Sequence, residues 1–460
     1  MAVDKSHVAE ALRISEERIQ FLRHKFVSAA RRRGHKVAQR IGNRGIVACR
    51  GCARPSGSSD NGTNVNDTRF LRAFQVAFIA LATYGMLYFS YKYYVPWSGG
   101  QDYAQYYAMY QQPLDMSQTQ APFIYRQFGA VITHVIYKLG LYYPNEIHFI
   151  DADYDQRIFF SALLSNYLAL FLTSILVAMT VARRFDYPCL FPPLVGGLLC
   201  FLSFFTQQNV ITGLSEGWSW FLMALVFYAY ESRRQTLVIA VLILSIFQRE
   251  ILPIVVAVLS GVALWQGREK ADRDPFVVTT FVSAGFAFAL YVLVRSLILP
   301  VDGHEPQLAP LDLWSGLLES VPPSASVLMQ GVVSQNIFFI FLATALFVTY
   351  LRKRTGAVGD FETSRNGVVQ LVVVLLAVYL IGMAAQIGHN IGRIASLITP
   401  VVAVYAALNL AAIEQMLSGE RVRVDRAVRS PRSFGRSEPE PASGLSALAG
   451  PPSSSPLHRQ

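Results

Sequence analysis

Several short stretches of this chain place charged side chains where they could hold an anion or move a proton. Asp102 follows the flexible pair Gly99-Gly100. A carboxylate there is suited to take a proton from an acceptor hydroxyl. Arg126 closes the segment Ala121-Pro122-Phe123-Ile124-Tyr125-Arg126, and Gln248-Arg249-Glu250 interrupts a long apolar run. Gly388-His389-Asn390-Ile391-Gly392-Arg393 lies just ahead of the last apolar run. A guanidinium meets phosphate in a bidentate way, and an imidazole can carry a proton near neutral pH. Asp151-Ala152-Asp153 offers hard oxygen ligands of the kind a divalent cation takes.

Each of these has a plainer reading. Asp102 could be an ordinary loop aspartate, and Asp151 and Asp153 a solvated turn capping the next helix. Arg126 could snorkel to lipid headgroups. Glu216 falls in the first turn of a helix expected to start near Thr212, where it would complement the helix dipole. His389 and Arg393 could anchor their helix at the interface. The plain reading is weakest for Arg249 and Glu250, because an intramembrane Arg and Glu cost several kcal/mol unless paired or wet. Adjacent residues do not face each other on a helix, so these two need separate partners. Tyr91, Tyr93, Tyr94, Tyr103, Tyr106, Tyr107 and Tyr110 suit an aromatic belt, and aromatic faces also pack on sugar rings.

The elements that must position these residues follow from composition. The 460 residues are 53% hydrophobic and only 15% charged, where a soluble domain carries about a quarter charged. Apolar runs near 70–91, 158–182, 187–206, 213–230, 276–299, 336–351, 368–386 and 393–413 approach the roughly 20 residues a bilayer crossing needs. The stretch 235–265, broken by Gln248-Arg249-Glu250 and Pro253, reads as a broken hairpin of two arms. Residues 123–140 carry Arg126, His134 and Lys138 and read as an interfacial helix. The expected fold is an all-α, polytopic transmembrane helical bundle with about ten crossings.

Orientation follows from basic residues in short loops. With the N-terminus inside, Arg183-Arg184, Arg233-Arg234, Arg268/Lys270/Arg273 and Arg352-Lys353-Arg354 all fall inside, provided 235–265 enters and returns. The outer surface then collects Asp102, Arg126, Asp151, Asp153, Glu216, Arg249, Glu250, His389 and Arg393. Three regions result: a basic cytoplasmic segment and linker at 1–68, a transmembrane domain at 69–415 with the outer loop 92–157, and a disordered cytoplasmic tail at 416–460. The net charge of +10 sits in tails and short loops and does not point to nucleic acid. Cys49-Arg50-Gly51-Cys52 lacks a second ligand pair for zinc.

The layout resembles the GT-C superfamily of membrane glycosyltransferases. The likeness rests on Asp102 after the first span, the Ala-Pro-x-x-x-Arg segment ending at Arg126, the Arg249-Glu250 break and the late Arg393, over roughly 70–415. It implies an enzyme moving a sugar from a polyprenyl-phosphate donor to an extracytoplasmic acceptor in cell-envelope assembly. In that case Asp102 and Glu250 are the catalytic carboxylates, and Arg126, Glu216, Arg249, His389 and Arg393 bind the donor. Partners are the lipid-linked sugar and membrane lipids, in a bacterial cytoplasmic membrane with both termini cytoplasmic. No cofactor is called for, while Asp151 and Asp153 leave a divalent metal ion open. The chain departs from that superfamily in having no adjacent acidic pair near Asp102 and no large soluble C-terminal domain. Broken helices with buried charges also occur in transporters, so a transporter or flippase is the competing class. A non-catalytic subunit of a polysaccharide assembly machine is a further alternative.

Overall fold

A computed structural model describes residues 64–93, 101–115, 119, 123–141, 155–185, 190–203, 206–207, 212–249, 251–267, 274–294, 336–355, 369, 371–374, 376–377 and 395–418. The chain divides into two units, Met1–Asn64 and Val65–Gln460, and the bundle below belongs to the second. Among the described residues every regular element is helical.

The elements are α1 (Asn64–Tyr93), α2 (Gln101–Gln111), a 3₁₀ turn (Phe123–Tyr125), α3 (Gln127–Lys138), α4 (Gln156–Ala182) and α5 (Phe191–Leu199). They continue with α6 (Gly217–Glu231), α7 (Gln235–Ser245), α8 (Ile251–Gln266), α9 (Pro275–Leu293), α10 (Asn336–Thr355) and α11 (Thr399–Ser418). Five helices are long and apolar enough to cross a membrane: Arg69–Tyr93, Gln156–Ala182, Pro275–Leu293, Asn336–Arg354 and Ser396–Leu417. This is a membrane protein built on apolar helices. The apolar run 368–386 falls mostly outside the described residues, as do the N-terminal segment before Asn64 and the tail beyond Ser418.

Two expected spans are shorter than their apolar runs. The run 187–206 holds a helix of only nine residues, α5, with Pro192 and Pro193 in its first turn, where proline costs little. Its two glycines explain its place. A Cβ on Gly197 would come within 2.8 Å of Ile79 and 3.0 Å of the Ser174 carbonyl, and one on Gly196 within 3.1 Å of Ala407. So α5 is squeezed between α1, α4 and α11, as small residues allow where packing rather than water drives helix association. The run 213–230 forms α6 only from Gly217, because residues 212–216 are unwound.

The packing fixes relative directions. Thr83 meets Tyr167 at 3.3 Å and Tyr91 packs on Phe160, so α1 and α4 run antiparallel. Trp218 bonds Ser165, and Arg184 pairs with Glu231, so α4 and α6 run parallel. Trp220 bonds the Ser396 carbonyl and Phe227 packs on Tyr405, which sets α11 parallel to α6. The Phe341–Tyr405 and Thr344–Asn409 contacts make α10 parallel to α11. One end of the bundle therefore carries Arg183, Arg184, Arg233, Arg234 and Arg352-Lys353-Arg354. The other carries α2, α3, the starts of α6 and α11, and the residues between α7 and α8.

Polar side chains inside the spans mostly serve their own backbone. The hydroxyls of Thr173, Ser174, Thr180 and Ser260 each donate to the carbonyl four residues back, which satisfies them within their own helix. At the basic end, Arg233 takes a left-handed conformation (φ 53°) and the Arg234 N–H reaches back to the Ala229 carbonyl, a Schellman-type stop for α6. Arg233 also pairs with Asp274 at 2.7 Å, tying the α6–α7 turn to the start of α9.

Candidate functional site

The site is built on two stretches of chain that are not helical. The first, Thr212–Glu216, precedes α6; the Ser215 and Glu216 carbonyls accept from N–H groups of the first turn of α6, while Gly213 and Leu214 lie before it. Their carbonyls need other donors, since an unpaired buried carbonyl is costly. Gly213 sits at φ +74°, a conformation that glycine tolerates, and its carbonyl accepts from the Tyr110 hydroxyl at 2.8 Å. The Leu214 carbonyl accepts from the Asn166 side chain, and the Ser215 carbonyl from the Gln248 amide at 2.8 Å. Side chains from α2 and α4 thus replace the missing helix bonds, and the α7–α8 break adds a bond at Ser215.

The second stretch is that break. α7 ends at Ser245, and its last turn tightens through bonds from the N–H groups of Phe247 and Gln248 to carbonyls three residues back. Helix geometry resumes at Ile251 with Pro253 in the first turn. Gln248 is buried. Its amide nitrogen donates to Ser215 O and to Ser219 Oγ (3.3 Å), and its oxygen accepts from the Gly129 N–H at 2.9 Å. The Phe128 N–H donates to the Phe247 carbonyl at 3.0 Å. The N–H groups of Phe128 and Gly129, orphans in an isolated helix, are therefore satisfied by the break.

Across these two stretches lies a buried ion pair. Arg249 Nη2 donates to Glu216 Oε1 at 2.6 Å, with the side chains 12% and 4% exposed. Glu216 is the N-cap residue of α6, and its side chain makes no cap bond. The expected helix start near Thr212 is corrected: the helix starts at Gly217, which leaves Glu216 at its N-cap, still at the positive end of the helix dipole, with its carboxylate on the arginine of the break. Arg249 has its partner 33 residues away in the chain, consistent with separate partners for Arg249 and Glu250.

α2 and α3 pack against these two stretches through Tyr110 and Gly129. Arg126, at the N-cap of α3, is only 7% exposed. Its Nη1 donates to the Tyr106 hydroxyl at 3.2 Å, and its guanidinium lies 5.4 Å from the Phe123 ring. It does not snorkel. Tyr106 stacks on Tyr110. Burial pushes the Tyr110 hydroxyl well above its ordinary pKa, with Tyr106, Tyr103 and the Glu216 carboxylate adding to the rise. Tyr110 thus stays protonated and keeps donating to Gly213. Asp102 lies in the first turn of α2, one turn before Tyr106 and half-buried; residues four apart share a helix face.

The tyrosines divide. Tyr91, Tyr103, Tyr106 and Tyr110 are buried with Phe159 and Leu163 in a second apolar cluster that seats α2 on α4. They belong neither to a lipid-facing belt nor to an open sugar platform. Tyr93 is exposed and stacks on Phe89, as a belt residue would.

The structure thus brings Arg126, Glu216 and Arg249 to one end of the bundle, with Asp102 on the tyrosine-bearing helix beside them. Glu250, His389 and Arg393 lie outside the described residues, as do Tyr94, Asp151 and Asp153. Among the described residues no group of three or more His, Cys, Asp or Glu comes together to hold a metal ion. The sequence marked Gln248 only as part of the break and Tyr110 only as one of the belt tyrosines, and Asn166 was passed over. A signal was present for two of them: Gln248 and Asn166 are strongly polar residues in apolar runs, where such residues must find partners.

Gly217 gives a test of this architecture. A Cβ there would lie 2.8 Å from Asn166 Oδ1 and 3.1 Å from the Asn166 carbonyl. Gly217→Ala should force α6 away from α4 and cost about 1–3 kcal/mol, read as a lower Tm in detergent. Gly285→Ala, in α9 with nothing within 4 Å of the new atom, is the control and should leave the Tm unchanged or raise it. Equal Tm values for both variants would contradict the packing described.

Comparison with protein-family models, curated proteins and solved structures finds no match.

Proposed function

We propose that the chain is a membrane glycosyltransferase moving a sugar from a polyprenyl-phosphate donor to an acceptor on the extracytoplasmic side. The observation that carries the reading is the buried Arg249–Glu216 pair at the end of the bundle where Arg126 and the Asp102 helix also lie. Two guanidiniums there suit a phosphate that gains charge as it leaves. Asp102 takes the proton of the acceptor hydroxyl. The acceptor oxygen then attacks the anomeric carbon, the bond from that carbon to the phosphate oxygen breaks, and its electron pair goes to the lipid phosphate. Arg126 and Arg249 stabilise that charge, and Glu216 orients Arg249. Glu250 is assigned as a second catalytic carboxylate, and His389 and Arg393 as further donor ligands.

Membrane placement is part of the proposal. Eleven residues of α7 rise about 17 Å, against a hydrocarbon core of about 30 Å, so the break sits within membrane depth. Were α8 to continue α7, Gly267 would stand about 50 Å from Arg234. Seven residues onward, Asp274 bonds Arg233, and seven residues reach at most about 25 Å. A fold-back into a broken hairpin removes the conflict. With α7, α8 and the run 368–386 each counted as a pass, about ten crossings result, and both termini lie on the basic, cytoplasmic side.

The buried residues of α6 between Trp220 and Tyr228 are Leu222, Met223, Ala224, Val226 and Phe227, all apolar. That favours a site open to one side over a transport path. Single cysteines test the sidedness in a background lacking Cys49, Cys52, Cys189 and Cys200. Leu114→Cys should react with an impermeant thiol reagent from outside, while Ser232→Cys and Thr355→Cys should react only after the membrane is opened. Labelling of all three from outside would overturn the two-ended assignment. The function itself is tested by the glycolipid and glycan profile of cells with and without the protein. A profile that does not change would move the transporter or assembly-subunit reading ahead.

A further inference from the structure

We propose that Gln248 is a positioning residue: it latches α3 to the α7–α8 break and so sets Arg126 beside the Arg249–Glu216 pair. Of the charged site residues, Arg126 and Arg249 come from elements far apart in the chain, the outer helix and the broken membrane helix. Something must hold those elements in register, and the Arg249–Glu216 pair joins the break to the residues before α6.

Gln248 is the side chain whose hydrogen bonds join all three pieces of the site. Its oxygen accepts from Gly129 N–H on α3, and its nitrogen donates to Ser215 O and Ser219 Oγ at the start of α6. An amide is required for this. It supplies an acceptor and a donor from one planar group, whereas a carboxylate would face the Ser215 carbonyl with like charge. The fit is close: a Cβ on Gly129 would lie 3.1 Å from Gln248 Oε1, 3.1 Å from Ser215 Cβ and 3.1 Å from Trp218. Glycine at 129 is what lets α3 come near enough for its N–H to reach the amide. The neighbouring bond from Phe128 N–H to Phe247 O runs in the same direction. Arg126 lies two and three residues before these contacts, at the N-cap, so any shift of α3 on the break moves its guanidinium.

The latch makes a prediction for the unsubstituted protein. The first N–H groups of a helix normally exchange quickly, because nothing inside the helix binds them. Here the amides of Phe128 and Gly129 should exchange as slowly as those in the middle of α3. Fast exchange at both would overturn the latch without any variant being made.

The positioning role is tested by a cycle of Gln248→Met and Arg126→Met, read as binding of a short-chain prenyl monophosphate to the full chain in nanodiscs. Methionine fills the volume of glutamine without its hydrogen bonds. If Gln248 acts by placing Arg126, each single variant weakens binding about tenfold, and the double variant is no weaker than either single. Losses that multiply would show independent contributions and overturn the positioning role. The ligand in this test rests on the proposed function, so a second readout is kept separate from it. Nitroxides at the exposed positions Val135 on α3 and Ile243 on α7 should give one narrow distance distribution, broadened by Gln248→Met. An unchanged distribution in that variant would also overturn the latch. Slow exchange and a broadened distribution, with no binding of prenyl phosphate to the unsubstituted protein, would uphold the latch and count against the glycosyltransferase reading.

Discussion

Arg249→Leu should strip the membrane of most folded protein, and Glu216→Leu should do the same. Each substitution leaves the opposite charge buried, with Glu216 4% and Arg249 12% exposed in the intact pair. Breaking a buried pair from one side costs about 3–5 kcal/mol, while replacing both members with apolar residues is often neutral. The double variant Arg249→Leu/Glu216→Leu should therefore regain abundance and Tm, as read by fluorescence-detected size-exclusion chromatography and thermal unfolding. It should not regain sugar transfer, because the guanidinium proposed to stabilise the leaving phosphate is gone. Arg233→Leu is the contrast. Its pair with Asp274 is 41% and 32% exposed, and exposed pairs contribute at most about 1 kcal/mol. Normal abundance of both single variants would show that the pair is not buried as described. Full transfer by the double variant would remove Arg249 from the mechanism.

Asp102→Asn should leave a folded protein that transfers almost nothing. The amide keeps the shape of the carboxylate but cannot accept the acceptor's proton, and a positioned general base contributes about 10²–10⁴-fold to rate. Loss of a negative charge from the first turn of α2 costs only about 0.3–1 kcal/mol, too little to unfold the chain. Donor binding should survive, since Arg126 and Arg249 are untouched. Asp115→Asn, just past the end of α2, is the control and should transfer normally. Normal transfer by the Asp102 variant would pass the role of base to Glu250 or to Asp151 and Asp153. Normal transfer after each of those is neutralised as well would end the case for carboxylate-assisted transfer.

Much of the helical architecture was legible in the linear chain because a bilayer imposes a length. A run such as 158–182 has little choice but to form one long apolar helix, and α4 spans Gln156–Ala182. The interruption after Ser245 was legible for the same reason: Arg249, Glu250 and Pro253 cannot be threaded unpartnered through hydrocarbon. α5 fell short of its run for reasons hydropathy does not carry. Gly196 and Gly197 mark a crossing of backbones rather than a passage of lipid.

The charged residues Arg126, Glu216 and Arg249 were recognisable from type and position, but their partners were not. Arg249 announces itself as a charge in an apolar run, and such a charge demands a counterpart. Nothing local says that the counterpart is Glu216, which by itself reads equally well as a helix-terminal acid. Arg126 after Pro122 looks like a residue that could reach headgroups, and only the seating of α2 and α3 on α4 and the break decides that it is buried. The same seating turns Tyr103, Tyr106 and Tyr110 from belt candidates into core. Apolar length and the cost of a bare charge are local properties, so the sequence by itself determined long membrane helices such as α4 and the place where one must break. Which carbonyl, carboxylate or amide meets that break depends on residues tens of positions apart arriving within about 3 Å of each other, and that was decided only by the tertiary packing.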